Sequence, residues 1–176
     1  TVRTSCGVAA DLDSDMCMDL LSATYYHDRI AWYENDGSET FIAHTITNYA
    51  DNASSVYAAD VDGDGDLDGL SGSRFDDKIA WYENDGSQTF TAHTITTDAD
   101  GADSVYAADV DGDGDLDVLS ASINDDKIAW YENDGENDPT FEPHTITTDA
   151  NGANSVFAAD VDSDGDMDVL SAYYCH

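Results

Sequence analysis

The chain has 176 residues, of which 39 are Asp or Glu and 5 are Lys or Arg, giving a formal charge of −34. A surface of that sign repels nucleic-acid phosphates and anionic lipid headgroups, which argues against both as partners and in favour of cations and basic proteins. No window approaches the roughly 18 consecutive apolar residues of a membrane span, so membrane insertion is not expected; the start at Thr1, without a basic and apolar leader, fits a processed or partial chain.

The first element in chain order is an acidic loop, Asp11-Leu-Asp-Ser-Asp-Met-Cys-Met-Asp19. It is a damaged copy of a loop that returns at Asp60-Val-Asp-Gly-Asp-Gly-Asp-Leu-Asp68, at Asp109 to Asp117 and at Asp160 to Asp168. Carboxylates at loop positions 1, 3, 5 and 9, with a sharp turn at position 6, supply the oxygens a hard cation needs, as in the first half of an EF-hand loop. Magnesium prefers few protein ligands and several waters, so calcium is the cation expected. Glycine at position 6 suits a turn with positive φ. The first loop has Met16 there and Cys17 at position 7, and a Met held at positive φ costs on the order of 1 kcal/mol. That site is expected to be weak, distorted or empty. A disordered acidic stretch is the plain alternative, but near-identical copies between apolar runs speak against it.

The octet Ile-Ala-Trp-Tyr-Glu-Asn-Asp-Gly follows at Ile30, Ile79 and Ile128, each start 49 residues after the last, and His-Thr-Ile-Thr follows at His44, His93 and His144. The period is one structural unit. In the second copy, strands are expected over Ser55–Ala59, Leu70–Ser73, Lys78–Glu83 and Phe90–Thr96. Ile79 and Trp81 alternate with Ala80 and Tyr82, which is the period of a strand, and Asn84-Asp-Gly86 is a tight-turn signal. No sustained helical periodicity interrupts the pattern. The expected fold is all-β, with propeller-type blades of four antiparallel strands and about three and a half repeats of about 49 residues. The chain reads as one repeat array over 1–176, with units at about 5–49, 54–98 and 103–149 and a half unit at 154–176.

Through Ala-Ala-Asp-Val-Asp-Gly-Asp-Gly-Asp-Leu-Asp, the Trp-Tyr octet and His-Thr-Ile-Thr, the chain resembles the FG-GAP and VCBS repeats, the repeats of integrin-α-like β-propellers. The resemblance implies that the loop aspartates ligate calcium, with position 7 giving its carbonyl. Carried over, the metal residues are Asp60, Asp62, Asp64, Asp66 and Asp68; Asp109, Asp111, Asp113, Asp115 and Asp117; Asp160, Asp162, Asp164, Asp166 and Asp168; and, weakly, Asp11, Asp13, Asp15 and Asp19. The Phe-Gly and Gly-Ala-Pro signatures that named the family are not present in this sequence.

Other residues carry weaker signals. His44, His93 and His144 lack the close spacing of zinc ligands and are expected to pack or hydrogen-bond between blades. Trp32, Trp81 and Trp130, with Tyr33, Tyr82 and Tyr131, belong to the core or stack on sugar rings. Arg29, Lys78 and Lys127 are expected to neutralise a neighbouring Asp, such as Asp28, Asp77 or Asp126, or a carboxylate of the next blade. Cys6, Cys17 and Cys175 are small buried hydrophobes or joints between chains, and Asn52-Ala-Ser54 is a glycosylation sequon. Carboxylate pairs recur in every unit, whereas catalysis needs a few groups in distinct environments, so no enzyme is expected.

Three and a half units leave a strand edge that invites pairing. The expected function is a secreted or cell-surface calcium-binding scaffold that self-associates into a fibre or coat. The rivals are a discrete glycan- or protein-binding module and an accessory domain of a larger secreted enzyme.

Overall fold

The computed structural model describes residues 4–38 and 40–174, and these form fourteen strands and no helix. The first sheet contains β1 (Thr4–Ala10), β2 (Asp19–Thr24), β3 (Arg29–Asn35) and β4 (Phe41–Thr47). The second contains β5 (Ala53–Ala59), β6 (Asp68–Ser73), β7 (Lys78–Asn84) and β8 (Phe90–Thr96). The third contains β9 (Ala102–Ala108), β10 (Asp117–Ser122), β11 (Lys127–Asn133) and β12 (Phe141–Thr147), and β13 (Ala153–Ala159) pairs with β14 (Asp168–Tyr173) in a two-stranded sheet. Every strand is antiparallel to its sequence neighbour within a sheet.

Register repeats with the sequence. Ala59 opposes Asp68 across the acidic loop, as Ala10 opposes Asp19, Ala108 opposes Asp117 and Ala159 opposes Asp168. The Asn84-Asp-Gly86 turn leads into the pairing of Asn84 with Phe90, with Gly86 at φ 69°. The acidic loops and the β3–β4-type turns therefore share one end of each sheet. The β2–β3-type turns lie at the other end.

The strands are short and rich in Ala, Val and Ser, so no sheet buries enough apolar area alone; stacking sheets solves this. Leu21, Ile30 and Trp32 of the first sheet pack with Ala80 and Tyr82 of the second. Leu70, Ile79 and Trp81 of the second pack with Val118, Ala129 and Tyr131 of the third, and Leu119, Ala121 and Ile128 of the third pack with Val156 and Ala158. The alternation on β7 thus separates two buried faces, because its sheet is covered on both sides. The first strands β1, β5, β9 and β13 neighbour one another in turn. Ser5 Oγ donates to Ala53 O at 2.8 Å and Ser54 Oγ to Ala102 O at 2.7 Å, while the rings of Tyr57, Tyr106 and Phe157 follow at 4.6 and 4.7 Å.

Candidate metal centres

Each acidic loop joins the first strand of a sheet to its second. Carboxylate oxygens of Asp60, Asp62 and Asp68 lie within 4.8 Å of one another, as do those of Asp109, Asp111 and Asp117 and those of Asp160, Asp162 and Asp168. In the first loop the group is Asp11, Asp13 and Asp15 instead. The loop folds around its own carboxylates: Gly65 N donates to Asp60 Oδ2 at 3.1 Å, Asp64 N to Asp62 Oδ1 at 3.2 Å and Asp66 N to Asp64 Oδ1 at 2.9 Å. The position-5 residues Asp64, Asp113 and Asp164 hold the backbone of position 7 and stand outside the three-carboxylate groups. At position 7, the side chains of Asp66 and Asp115 lie against Gly86 and Gly135, where a methyl group would collide with them. Asp166 N is held by Asp164 Oδ1 at 3.0 Å.

The loop backbone needs positive φ at positions 4 and 6, which Gly63 and Gly65 supply at 74° and 99°. Ser14 and Met16 take the same course in the first loop, at 61° and 72°. The Met16 side chain is almost wholly exposed, so nothing packs against it to repay the strain. Cys17 occupies the position of Asp66, with its sulfur against Gly37.

Position 9 has a second task. The fully buried Asp68 accepts Val61 N at 2.9 Å on one oxygen and Asn84 N at 2.8 Å on the other, so it closes its own loop and ties it to the end of β7. Asn84 Nδ2 donates to Leu67 O in the same loop and to Leu12 O in the loop before, at 3.1 and 2.9 Å. Asp117 and Asn133 repeat the arrangement, with Asn133 Nδ2 reaching Val61 O at 2.9 Å. These bonds join successive loops across the sheet stack. Sequence reasoning read these asparagines only as turn residues; their recurrence in the octet was the signal that could have found them.

Burial pushes the Asp68 and Asp117 carboxyls up to about 6, against the pull of the two backbone N–H bonds each accepts. Burial, then the charges of Asp64 and Asp60, also raises Asp62. Asp60 Oδ1 is buried and has no hydrogen-bond partner. A clustered set of hard oxygens with one buried oxygen unsatisfied fits a divalent cation and suits nothing that only accepts protons.

Several sequence expectations are corrected. The histidines bond within their own sheets: His44 Nε2 donates to Glu34 at 2.8 Å and its ring stacks on its cross-strand partner Trp32 at 4.5 Å, and His93 and His144 do the same with Glu83 and Trp81 and with Glu132 and Trp130. The core reading of the tryptophans holds for Trp32 and Trp81, which are 1% exposed and present no face to a sugar. Lys78 and Lys127 do pair with neighbouring aspartates, but these are Asp76 and Asp125, because Asp77 and Asp126 accept the backbone N–H of Gly101 and Gly152. Arg29 reaches the Tyr33 hydroxyl. Asn52 is buried at φ 60°, where the next two units have Gly, so the sequon is not presented on the surface. Cys6 takes a serine's place, with Sγ 3.8 Å from Val56 O, and Cys175 lies outside the described residues.

The repeat, its acidic loops and its sheets together define a family. The FG-GAP-like repeat model matches residues 11–71, 70–120 and 109–171, and the chain belongs to that family. No curated protein matches it. Among solved structures it is similar to a lectin of Agrocybe aegerita described by its specific recognition of non-reducing terminal N-acetylglucosamine, with 20% identity and a TM-score of 0.64. It is also similar to the V. cholerae biofilm matrix protein Bap1, with 19% identity and a TM-score of 0.57. The likeness covers 97% of this chain in both cases but only 48% of the lectin and 28% of the matrix protein, and it is a likeness of fold. Among the described residues no helix is long and apolar enough to cross a membrane.

Proposed function

We propose that this chain is a calcium-stiffened, non-catalytic module of the extracellular space, that its sheets are propeller-type blades, and that it works by adhesion and by assembly with further copies of the repeat. The observation that carries the reading is the state of the two end faces. Leu20 on the first sheet is 40% exposed while its equivalent Val118 is 0% exposed, and Leu170 on the last sheet is 43% exposed while Leu70 and Leu119 are 0% exposed. Around Leu20, Met18, Tyr33 and Phe41 line an open hollow of about 450 Å³. The two ends thus present opposite halves of an interface the chain makes between its own sheets, and a further repeat, of the same protein or of another copy, would cover each of them.

The position 1, 3 and 9 carboxylates of the loops at 60, 109 and 160 are the residues that would hold calcium. The ion would neutralise them and fix the turn between the first two strands. That one similar structure is a lectin and the other a biofilm matrix protein supports a binding or adhesive role outside the cell.

The test is the mass of native material by light scattering in millimolar Ca²⁺ and after chelation, without reductant. Particles well above 18.9 kDa that disperse on chelation, and that Leu20→Glu also disperses, are expected. A steady mass near 18.9 kDa in both conditions would overturn the assembly reading.

A further inference from the structure

The repeats are closest to identical in their loops and octets, and they diverge at the β2–β3-type turns. The sequences there are Thr24-Tyr-Tyr-His-Asp28, Ser73-Arg-Phe-Asp-Asp77 and Ser122-Ile-Asn-Asp-Asp126. All three turns have the same frame: Asp28, Asp77 and Asp126 sit at φ 52°, 53° and 56°, and each accepts a backbone N–H from the start of the next unit. The third turn makes that frame with Ile123 and Asn124, so the fold does not require the aromatic rings of the first two. Tyr26 and Phe75 are nonetheless 61% and 69% exposed.

Tyr25 and Tyr26 border a cleft, and Phe75 packs edge-on to the Tyr25 ring beside it. Tyr25 meets Tyr26 at 4.9 Å and 77° between planes, and Phe75 at 6.5 Å and 62°, so the rings form a floor and walls rather than a stack. The Arg74 guanidinium lies 6.0 Å from the Tyr25 ring centre and is held from the next sheet by Asp103, which Arg74 Nε meets at 2.8 Å. Thr4, Ser5, Tyr25, Tyr26 and Arg74 line a cleft of about 400 Å³ at the end of the sheets opposite the acidic loops. It is large enough for one or two sugar rings, and it is open to solvent on the side of Tyr26.

We propose that this cleft is a binding site for a neutral pyranose of a glycan, with the Tyr25 and Tyr26 rings taking the apolar C–H face of the sugar and Arg74, Thr4 and Ser5 its hydroxyls. Aromatic side chains offer broad apolar area at little entropy cost, and polar groups at the rim orient the ligand. An anionic ligand is disfavoured, because Asp103 already neutralises Arg74 and the chain as a whole carries −34. The proposal gives the adhesive reading a ligand and so rests on it. Sugar binding is read from the ligand's own signals at any particle size, whereas assembly is read from particle mass, so either can fail without the other.

The experiment is saturation-transfer NMR in calcium with the methyl pyranosides of glucose, galactose, mannose and N-acetylglucosamine at millimolar concentration. Transfer is expected to the ring protons of at least one sugar, with binding about tenfold weaker in Tyr26→Ala, the loss of about one stacking face. The Tyr26 side chain is exposed, so the change should not disturb folding, and Tyr49→Ala, an 85% exposed ring outside the cleft lining, should bind as the unaltered chain does. No transfer from any of the four sugars, or equal transfer with Tyr26→Ala, would overturn the proposal. Capture of a protein partner through the same residues, with no sugar bound, would also count against it.

Discussion

Two aspartates of the same loop do different work. Asp62 faces the carboxylate group and holds one backbone N–H of its own loop, whereas Asp68 also accepts two buried backbone N–H groups from opposite sides. Asp68→Ala should therefore destabilise the protein with or without calcium, by about 1–3 kcal/mol for each N–H left unsatisfied. Asp62→Ala should weaken calcium binding while moving calcium-free stability by no more than about 0.5 kcal/mol. Thermal melts of both variants in calcium-free and calcium-loaded buffer separate the two roles; equal behaviour would refute the division. The same residues set a pH dependence. With carboxyls raised from the ordinary 3.8 to about 6, folded Asp68 and Asp117 hold a proton more tightly than the unfolded chain does. Their contribution to calcium-free stability is full below about pH 4 and is lost as pH rises through about 6. Calcium takes the ionised form, so the gap between the melting temperatures with and without calcium should open above pH 6 and narrow below it. A gap constant from pH 4 to 8 would contradict this.

Among the elements, the asparagines ending β7 and β11 join their sheets to the sheet before. Asn84→Ala removes the bonds to Leu67 O and Leu12 O but keeps the backbone N–H that Asp68 accepts. It should cost about 1–3 kcal/mol, and Asn133→Ala should cost the same. Asn35→Ala should cost less, because the Asn35 amide reaches Met18 O in its own loop at 3.2 Å and lies in the first sheet. Urea unfolding of the three variants checks the order. The strand pattern and turns were legible in the sequence because alternation, Asn-Asp-Gly and the loop glycines are local signals. The strand ends were less so: β5 and β6 begin two residues earlier than expected, at Ala53 and Asp68, since Ala53 and Asp68 are recruited by cross-strand pairing. Which faces of Trp81 and Tyr82 are covered depends on neighbouring sheets, about which a strand's own alternation is silent.

For the whole molecule, the dominant fact is a charge of −34 on 176 residues. Like charges of this density oppose the compact state unless cations offset them. A site loaded at a hundred times its dissociation constant contributes about 2.7 kcal/mol, so several loops together outweigh a typical margin of stability. Chelation should lower the melting temperature sharply, and about 0.5 M NaCl should restore part of the loss by screening. If salt has no effect on the calcium-free protein, self-repulsion is not the destabilising force.

The sequence by itself determined the period, the all-β class and the acidic loops, because each depends on residues close together in the chain. Only the tertiary structure decided that positions 1, 3 and 9 converge in the last three loops and 1, 3 and 5 in the first, that Asp68 is buried, and that Asn84 reaches back to Leu12. It also decided that Tyr26 and Phe75 are exposed while Trp81 is buried. Burial and convergence are set by which sheet lies against which, and such contacts join residues whole repeats apart in the chain.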